Sequence, residues 1–296
     1  MVHERLSSYE IGNLNENKKL TARFAKYETF TTHDGLVHIS PVLEEGELPE
    51  LREGYRTNGQ QLLISLCNLY LKVKDVKQNI ACEHIIDWCV ENTNPYYLHG
   101  LPMRPYNWRM RNNAEIWGAF VNILGDFSFP YERMMKDLKR LHEDTEILLL
   151  FRDIRDGNSI DSRFLNTIRL QEYESLSQLS EMEQLEEMDS LLALLPKFPL
   201  ELTLDELGDF RIVPAFTNVF ESAYYALAQF VATGSEVPLR DGGRTPLQVC
   251  ASCGKMYYKS GNRQKYCDEI ECKKERNQRK ANRYAAKQRE QRSVES

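Results

Sequence analysis

Hydrophobic and polar positions along these 296 residues follow two rhythms, a strand-like pattern near the N-terminus and a period of three to four afterwards. Tyr27 to Thr32 and Leu36 to Ile39 are rich in β-branched and aromatic residues, with His33-Asp34-Gly35 between them. Asp-Gly is a hairpin signal, because Gly enters positive φ without steric cost, so the pattern predicts a hairpin within residues 22–41. The acidic, Pro-interrupted stretch 44–53 reads as a loop. From Gln60 the period lengthens: Leu63, Leu66, Cys67, Tyr70 and Val73 share one helix face, as do Cys82, Ile85, Ile86 and Cys89 within Ile80–Val90. Further helices are predicted over Asn113–Leu124, over Tyr131–Phe151 with a basic outer face, and over Ile212–Val231. Residues 171–206 place Leu176, Leu179, Met182, Leu185, Met188 and Leu192 at helical spacing among many acids, which predicts an amphipathic acidic helix. Asn94-Pro95, Gly100–Pro105, Asp156-Gly157-Asn158 and the Gly- and Pro-rich stretch 234–246 punctuate these elements. The expected organisation is a mainly α domain with a small N-terminal β-hairpin over 1–233, a linker over 234–246, and a small C-terminal unit over 247–296.

Composition alters this picture at one point, the C-terminus. With 42% hydrophobic and 28% charged residues the chain is that of an ordinary globular protein. Its apolar runs fall short of a membrane span, and residues 1–19 are too polar for a secretory signal, so the expectation is a cytoplasmic protein without a membrane partner. The net charge of −6 is unevenly divided. Residues 250–296 hold 13 Lys and Arg against 6 Asp and Glu, which leaves 25 against 38 for residues 1–249. A basic end on an acidic body marks a segment that faces a polyanion. No Gly-rich phosphate loop, G-x-S-x-G elbow or H-E-x-x-H pair is present, so the chain reads as non-enzymatic.

The cysteines carry the remaining chemistry. Cys67, Cys82 and Cys89 fall on predicted core faces, where a thiol behaves as a small hydrophobe, and His33 and His38 read as surface residues. Cys250, Cys253, Cys267 and Cys272 differ. Their spacing is C-x2-C, thirteen residues, C-x4-C, which suits one tetrahedral Zn2+ held by four thiolates. Four thiolates leave no open position for water, so the zinc is expected to be structural. Cys250-Ala251-Ser252-Cys253-Gly254 reads as a knuckle, residues 255–266 as a short hairpin, and Asp268 with Glu271 as the cap of a helix holding Cys272 in its first turn. That order is the one found in a treble-clef finger.

Beyond Cys272 the chain is basic and helix-forming throughout, so the unit should end in a long basic helix. Lys273, Lys274, Arg276, Arg279, Lys280, Arg283 and Lys287 are the candidate nucleic-acid contacts, with Arg276, Lys280, Arg283 and Lys287 forming a stripe. Ala281 and Tyr284 offer an apolar contact back onto the finger. The acidic 171–206 segment is a candidate to dock on this tail within the same chain, and homo-oligomerisation is open.

Cys250-x2-Cys253-Gly254, Tyr257, Ser260, Asn262-Arg263 and the Tyr266-Cys267 pair before a basic C-terminal helix resemble the CGNR-type zinc fingers of bacterial proteins. At the last ligand the chain has Cys272-Lys273-Lys274-Glu275-Arg276 in place of the Cys-Gly-Asn-Arg that names the family. The resemblance implies a finger at the end of a mostly helical protein that binds DNA and regulates transcription. The same finger chemistry would also serve an RNA-binding or ribosome-associated protein, or a protein-interaction module whose zinc is purely structural.

Overall fold

The computed structural model of the chain describes residues 20–42, 50–53, 59–96, 127–155, 174–197, 199–204, 210–214, 216–232, 237–238, 244–245, 247–258 and 264–294. It is mostly helical, with a small three-stranded antiparallel sheet. Four strands open it: β1 (Leu20–Arg23), β2 (Lys26–Thr31), β3 (Val37–Val42) and β4 (Glu50–Glu53). The predicted hairpin is β2–β3, with Thr29 opposite Ile39. Gly35 takes φ +83°, and Thr32 closes the turn by accepting from the Gly35 N–H and donating to the Leu36 carbonyl, both at 2.9 Å. A third strand, β5 (Phe129–Pro130), pairs with β3 and sets Phe129 opposite Ile39, both buried. The expected loop over 44–53 is corrected in part. Residues 50–53 are a strand paired antiparallel with β1, an element made by a distant partner rather than by a local pattern.

Helices α1 (Gly59–Val73), α2 (Gln78–Glu91) and α3 (Tyr131–Arg155) match three of the helical stripes, and α3 runs beyond its predicted end at Phe151. The Asn113–Leu124 helix and the turn at 156–158 lie outside the described residues. Leu62, Leu66, Ile85, Trp88, Leu138 and Leu141 belong to one continuous core that includes Phe24, Ile39 and Phe129 of the strands. Cys67, Cys82 and Cys89 are buried in it, as their faces predicted, and burial pushes the Cys67 thiol up to about 12. Lys136, Lys139 and Arg140 lie on the exposed side of α3, the latter two beside Glu143 and Asp144. His33 is exposed, but His38 is half-buried, with Nδ1 3.3 Å from the Ser128 hydroxyl.

The acidic helix is shorter than predicted. A single helical turn at residues 174–177 is broken at 178–180, and α4 (Glu181–Leu194) restarts from Ser180 with a capping box: Ser180 Oγ accepts from the Glu183 N–H, and Glu183 Oε2 accepts from the Ser180 N–H at 2.8 Å. It stops two residues before Pro196, consistent with the bias against helical backbone ahead of proline. β6 (Leu200–Leu204) and β7 (Phe210–Pro214) then form an antiparallel pair where the sequence pattern suggested helix at both ends. α5 (Val219–Ala232) accordingly begins later than Ile212. Asn218 Oδ1 accepts from the Glu221 N–H at 3.0 Å, and Glu221 reaches back to the Thr217 N–H at 2.6 Å, which fixes the start.

α5 packs directly on α1. Gly59 lies at this contact: a Cβ there would lie 2.8 Å from the Ser222 carbonyl oxygen and 3.1 Å from Ala226 Cβ. Within the 234–246 stretch, β8 (Val237–Pro238) pairs with β9 (Arg244–Thr245). The chain ends with β10 (Leu247–Val249), β11 (Met256–Tyr258) and the single helix α6 (Ile270–Val294).

Candidate metal centre

The local chain path brings the four C-terminal cysteines together. β10 and β11 pair antiparallel, Val249 opposite Met256, so residues 250–255 form a tight connection between them. The Cys250 N–H donates to the Lys255 carbonyl at 2.8 Å, and the Gly254 N–H donates to the Cys250 carbonyl at 3.0 Å. Gly254 sits at φ +72°, a conformation β-substituted residues rarely adopt. The hairpin therefore spans the knuckle, correcting the expectation that it follows it; Gln264 to Tyr266 are not in a strand. Those residues instead return beside the knuckle, where the Ala251 N–H donates to the Lys265 carbonyl at 2.9 Å and the Tyr257 hydroxyl to the Gln264 carbonyl at 3.2 Å.

The helix expected from Asp268 begins at Ile270, and Cys272 lies in its first turn. Asp268 stands outside it, with its carboxylate 3.2 Å from Lys273 Nζ. Cys250, Cys267 and Cys272 are buried and Cys253 is exposed.

The four sulfurs all lie within 4.8 Å of one another, the group with this geometry among the described residues. Cys253 Sγ is 3.7 Å from Cys267 Sγ. In a regular tetrahedron the edge is about 1.63 times the centre-to-corner distance, so an ion held at ~2.3 Å from sulfur requires sulfurs ~3.8 Å apart, close to the separation seen. The electrostatics fit the same occupant. Burial opposes ionisation of Cys250, but N–H groups of Cys253, Cys267 and Ser252 outweigh it and lower the thiol; the Cys267 N–H lies 3.3 Å from Cys250 Sγ. Burial pushes Cys253 up to about 11 and raises Cys267 further, with neighbouring sulfurs adding to both. Cys250 is prepared for charge while Cys253 and Cys267 are held back, as expected of donors that need a cation to ionise together. These residues could hold one metal ion, and their full set of thiolates would leave it no open position.

Three contacts that no sequence pattern announced fix this centre. Asn68 on α1 grips the hairpin by both backbone groups of Met256: its amide donates to the Met256 carbonyl at 3.2 Å, and its oxygen accepts from the Met256 N–H at 2.9 Å. Leu247 and Met256 are buried in the same core as α1, and a Cβ at Gly254 would meet Leu71 Cδ1 of α1 at 3.8 Å. Finally Ser252 donates to Glu275, which also receives Arg279, so the knuckle is braced to α6. The hydrogen bond from Ser252, followed by Arg279, holds the Glu275 carboxyl below its usual range.

The candidate nucleic-acid residues divide accordingly. Lys273 pairs with Asp268, Lys274 with Glu271 at 2.8 Å, and Arg279 with Glu275. Arg276 and Lys280 are exposed. Arg283 and Lys287 continue α6, but their side chains lie outside the described residues. The expected apolar contact of Ala281 and Tyr284 onto the finger is not made, since both are exposed. No protein-family model, no curated protein and no solved structure matches the chain, so the functional reading rests on this geometry alone.

Proposed function

We propose that the chain is a zinc-dependent DNA-binding protein without enzymatic activity, a bacterial transcription regulator of the CGNR-type zinc-finger kind. The observation that carries this reading is the position of the four-thiol cluster, directly beneath the first turn of an exposed basic helix. The knuckle lies between β10 and β11, and the helix begins three residues after Cys267; these are two of the three parts of a treble clef. Zinc would supply the positive charge that lets all four thiolates ionise together. Everything else falls to the chain's own residues. Cys250 and Cys253 hold the knuckle, Cys267 and Cys272 hold the start of α6, and the Ser252–Glu275–Arg279 brace fixes the helix direction.

Arg276 and Lys280, one turn apart and exposed, are placed for phosphate contact, with Arg283 and Lys287 next along the same stripe. Arg279 acts in this reading as a brace rather than as a contact. Between two and four phosphates engaged predicts that log K falls with log salt at a slope between roughly −2 and −4 on duplex DNA.

Metal analysis coupled to a salt titration of duplex binding tests the proposal. The expected result is one zinc per chain, a slope in that range, and loss of both metal and affinity in Cys267→Ser. Salt-insensitive binding, or none to duplex DNA, would sink it, and preference for structured RNA in direct competition would transfer the same finger to an RNA-binding role.

A further inference from the structure

Two helices of this chain present exposed faces of opposite character. α4 carries Glu181, Glu183, Glu186, Glu187 and Asp189 and no basic residue. Its inner side is docked: Met188 packs against the cluster of Leu150 and Phe151 of α3 with Leu176, and the Gln184 amide donates to the Leu176 and Leu179 carbonyls of the preceding segment at 2.9 and 3.2 Å. Next to that docked side runs an apolar stripe that is exposed among the described residues. Met182 is 67% exposed, Leu185 55% and Leu192 41%, with Glu186 and Asp189 beside them at helical spacing. An apolar stripe of this kind, rimmed by charge, is the surface an amphipathic helix of opposite charge fits. α6 is such a helix. Tyr284, 68% exposed, lies with Ala281 and Ala285 on one face, and Lys280 precedes them.

We propose that α4 is the docking surface for the basic helix α6 of a second copy of this chain. Within one copy α6 is held elsewhere. Its first turns are braced to the knuckle through Ser252, Glu275 and Arg279, and the knuckle is clamped to α1 through Asn68 and Met256. From Ile270 to Val294 it contains neither Gly nor Pro, so it is an unbroken rod. Among the described residues both faces are exposed at once, which leaves each available to a second copy. A two-fold axis makes the contact reciprocal: each copy gives α6 and receives α6, which satisfies two stripes and closes the assembly at a dimer. Met182 and Leu185 would take the Tyr284 ring, while Glu186 and Asp189 face Lys280 and Arg276. The inference stands apart from the DNA-binding proposal, except that the two uses of α6 exclude each other.

Sedimentation equilibrium of the full-length, metal-loaded protein tests it. The expected result is a monomer–dimer equilibrium that weakens on going from low to high salt. Glu186→Lys combined with Asp189→Lys should raise the dimer Kd about tenfold or more, because like charges then face each other. Leu185→Ser should weaken the dimer at both salt concentrations. All these positions are exposed, so at concentrations where every chain is monomeric the melting temperatures should stay at the wild-type value. In the decisive arm, Arg276→Glu/Lys280→Glu chains should fail to self-associate but pair with Glu186→Lys/Asp189→Lys chains. A wild-type protein monomeric at every concentration, a Glu186→Lys/Asp189→Lys variant with the wild-type Kd, or failure of the charge-swapped mixture to pair would overturn the proposal. None of these outcomes depends on whether the protein binds DNA.

Discussion

Asn68 imitates a β-strand neighbour with a single side chain, since one amide satisfies both the N–H and the C=O of Met256. Met256 is itself buried, so losing those partners leaves two backbone groups without bonds in the core. Asn68→Leu should therefore cost about 2–4 kcal/mol of stability, read as a lower denaturant midpoint. Gly59→Ala should also destabilise, by about 1–3 kcal/mol, because its Cβ would meet backbone rather than a movable side-chain end. Neither residue was legible in the sequence. Gly59 reads only as an N-terminal helix residue, and Asn68 as a polar interruption of an apolar stripe whose partner is 188 positions away. The four cysteines were legible because their chemistry is rare and their ligand spacing short. Ser252 and Glu275 were not, because a Ser–Glu bond across 23 residues leaves no periodic trace.

Secondary structure was readable where capping, turn chemistry and period agreed. β2–β3 announced itself through Asp34-Gly35, and α1, α2 and α3 through their stripes. The boundaries of α4 and α5 failed because Leu200–Leu204 and Phe210–Pro214 alternate in twos, while Leu192 before them and Phe216 and Val219 after them keep a helical spacing that runs through the strands. The deciding signals were local: Ser180 with Glu183, and Asn218 with Glu221, each stopping the helix from extending upstream. The hairpin of the finger was misplaced because β10 precedes the first cysteine, outside the stretch that the ligands mark. α6 owes its direction to Glu275 as well as to Cys272. Glu275→Gln should keep one metal per chain yet speed amide exchange in the first turns of α6 about two- to fivefold, a modest effect because the brace is solvent-accessible. Unchanged exchange would show that the cysteines alone set the helix.

Across the molecule the seven cysteines form two populations. Cys67 and Cys89 are buried among apolar side chains, and burial raises both, Cys67 from an ordinary 9.0 to about 12. In the unfolded chain these thiols ionise above about pH 9, whereas in the folded protein they stay protonated, so the folded state binds more protons and stability falls as pH rises. Each pH unit above that point should remove about 1.4 kcal/mol per thiol until the folded value is reached. Thermal melting between pH 8 and pH 10 checks the sign, and Cys67→Ala with Cys89→Ala should flatten the slope. The same division predicts thiol labelling. After chelation at neutral pH the exposed Cys253 should react first, while Cys67 and Cys89 should react only on unfolding. Labelling of Cys67 in the folded protein would contradict the core described above.

The clamp at Asn68 also has a mechanical side. α6 is a rod of about 37 Å at 1.5 Å per residue, fixed at one end to a hairpin that is itself seated on α1. A tilt of about 10° at that seat displaces the far end by about 6 Å, more than one full turn of the helix. The small repackings that a closely packed core permits around α1 thus become, at the tip of α6, a change of register.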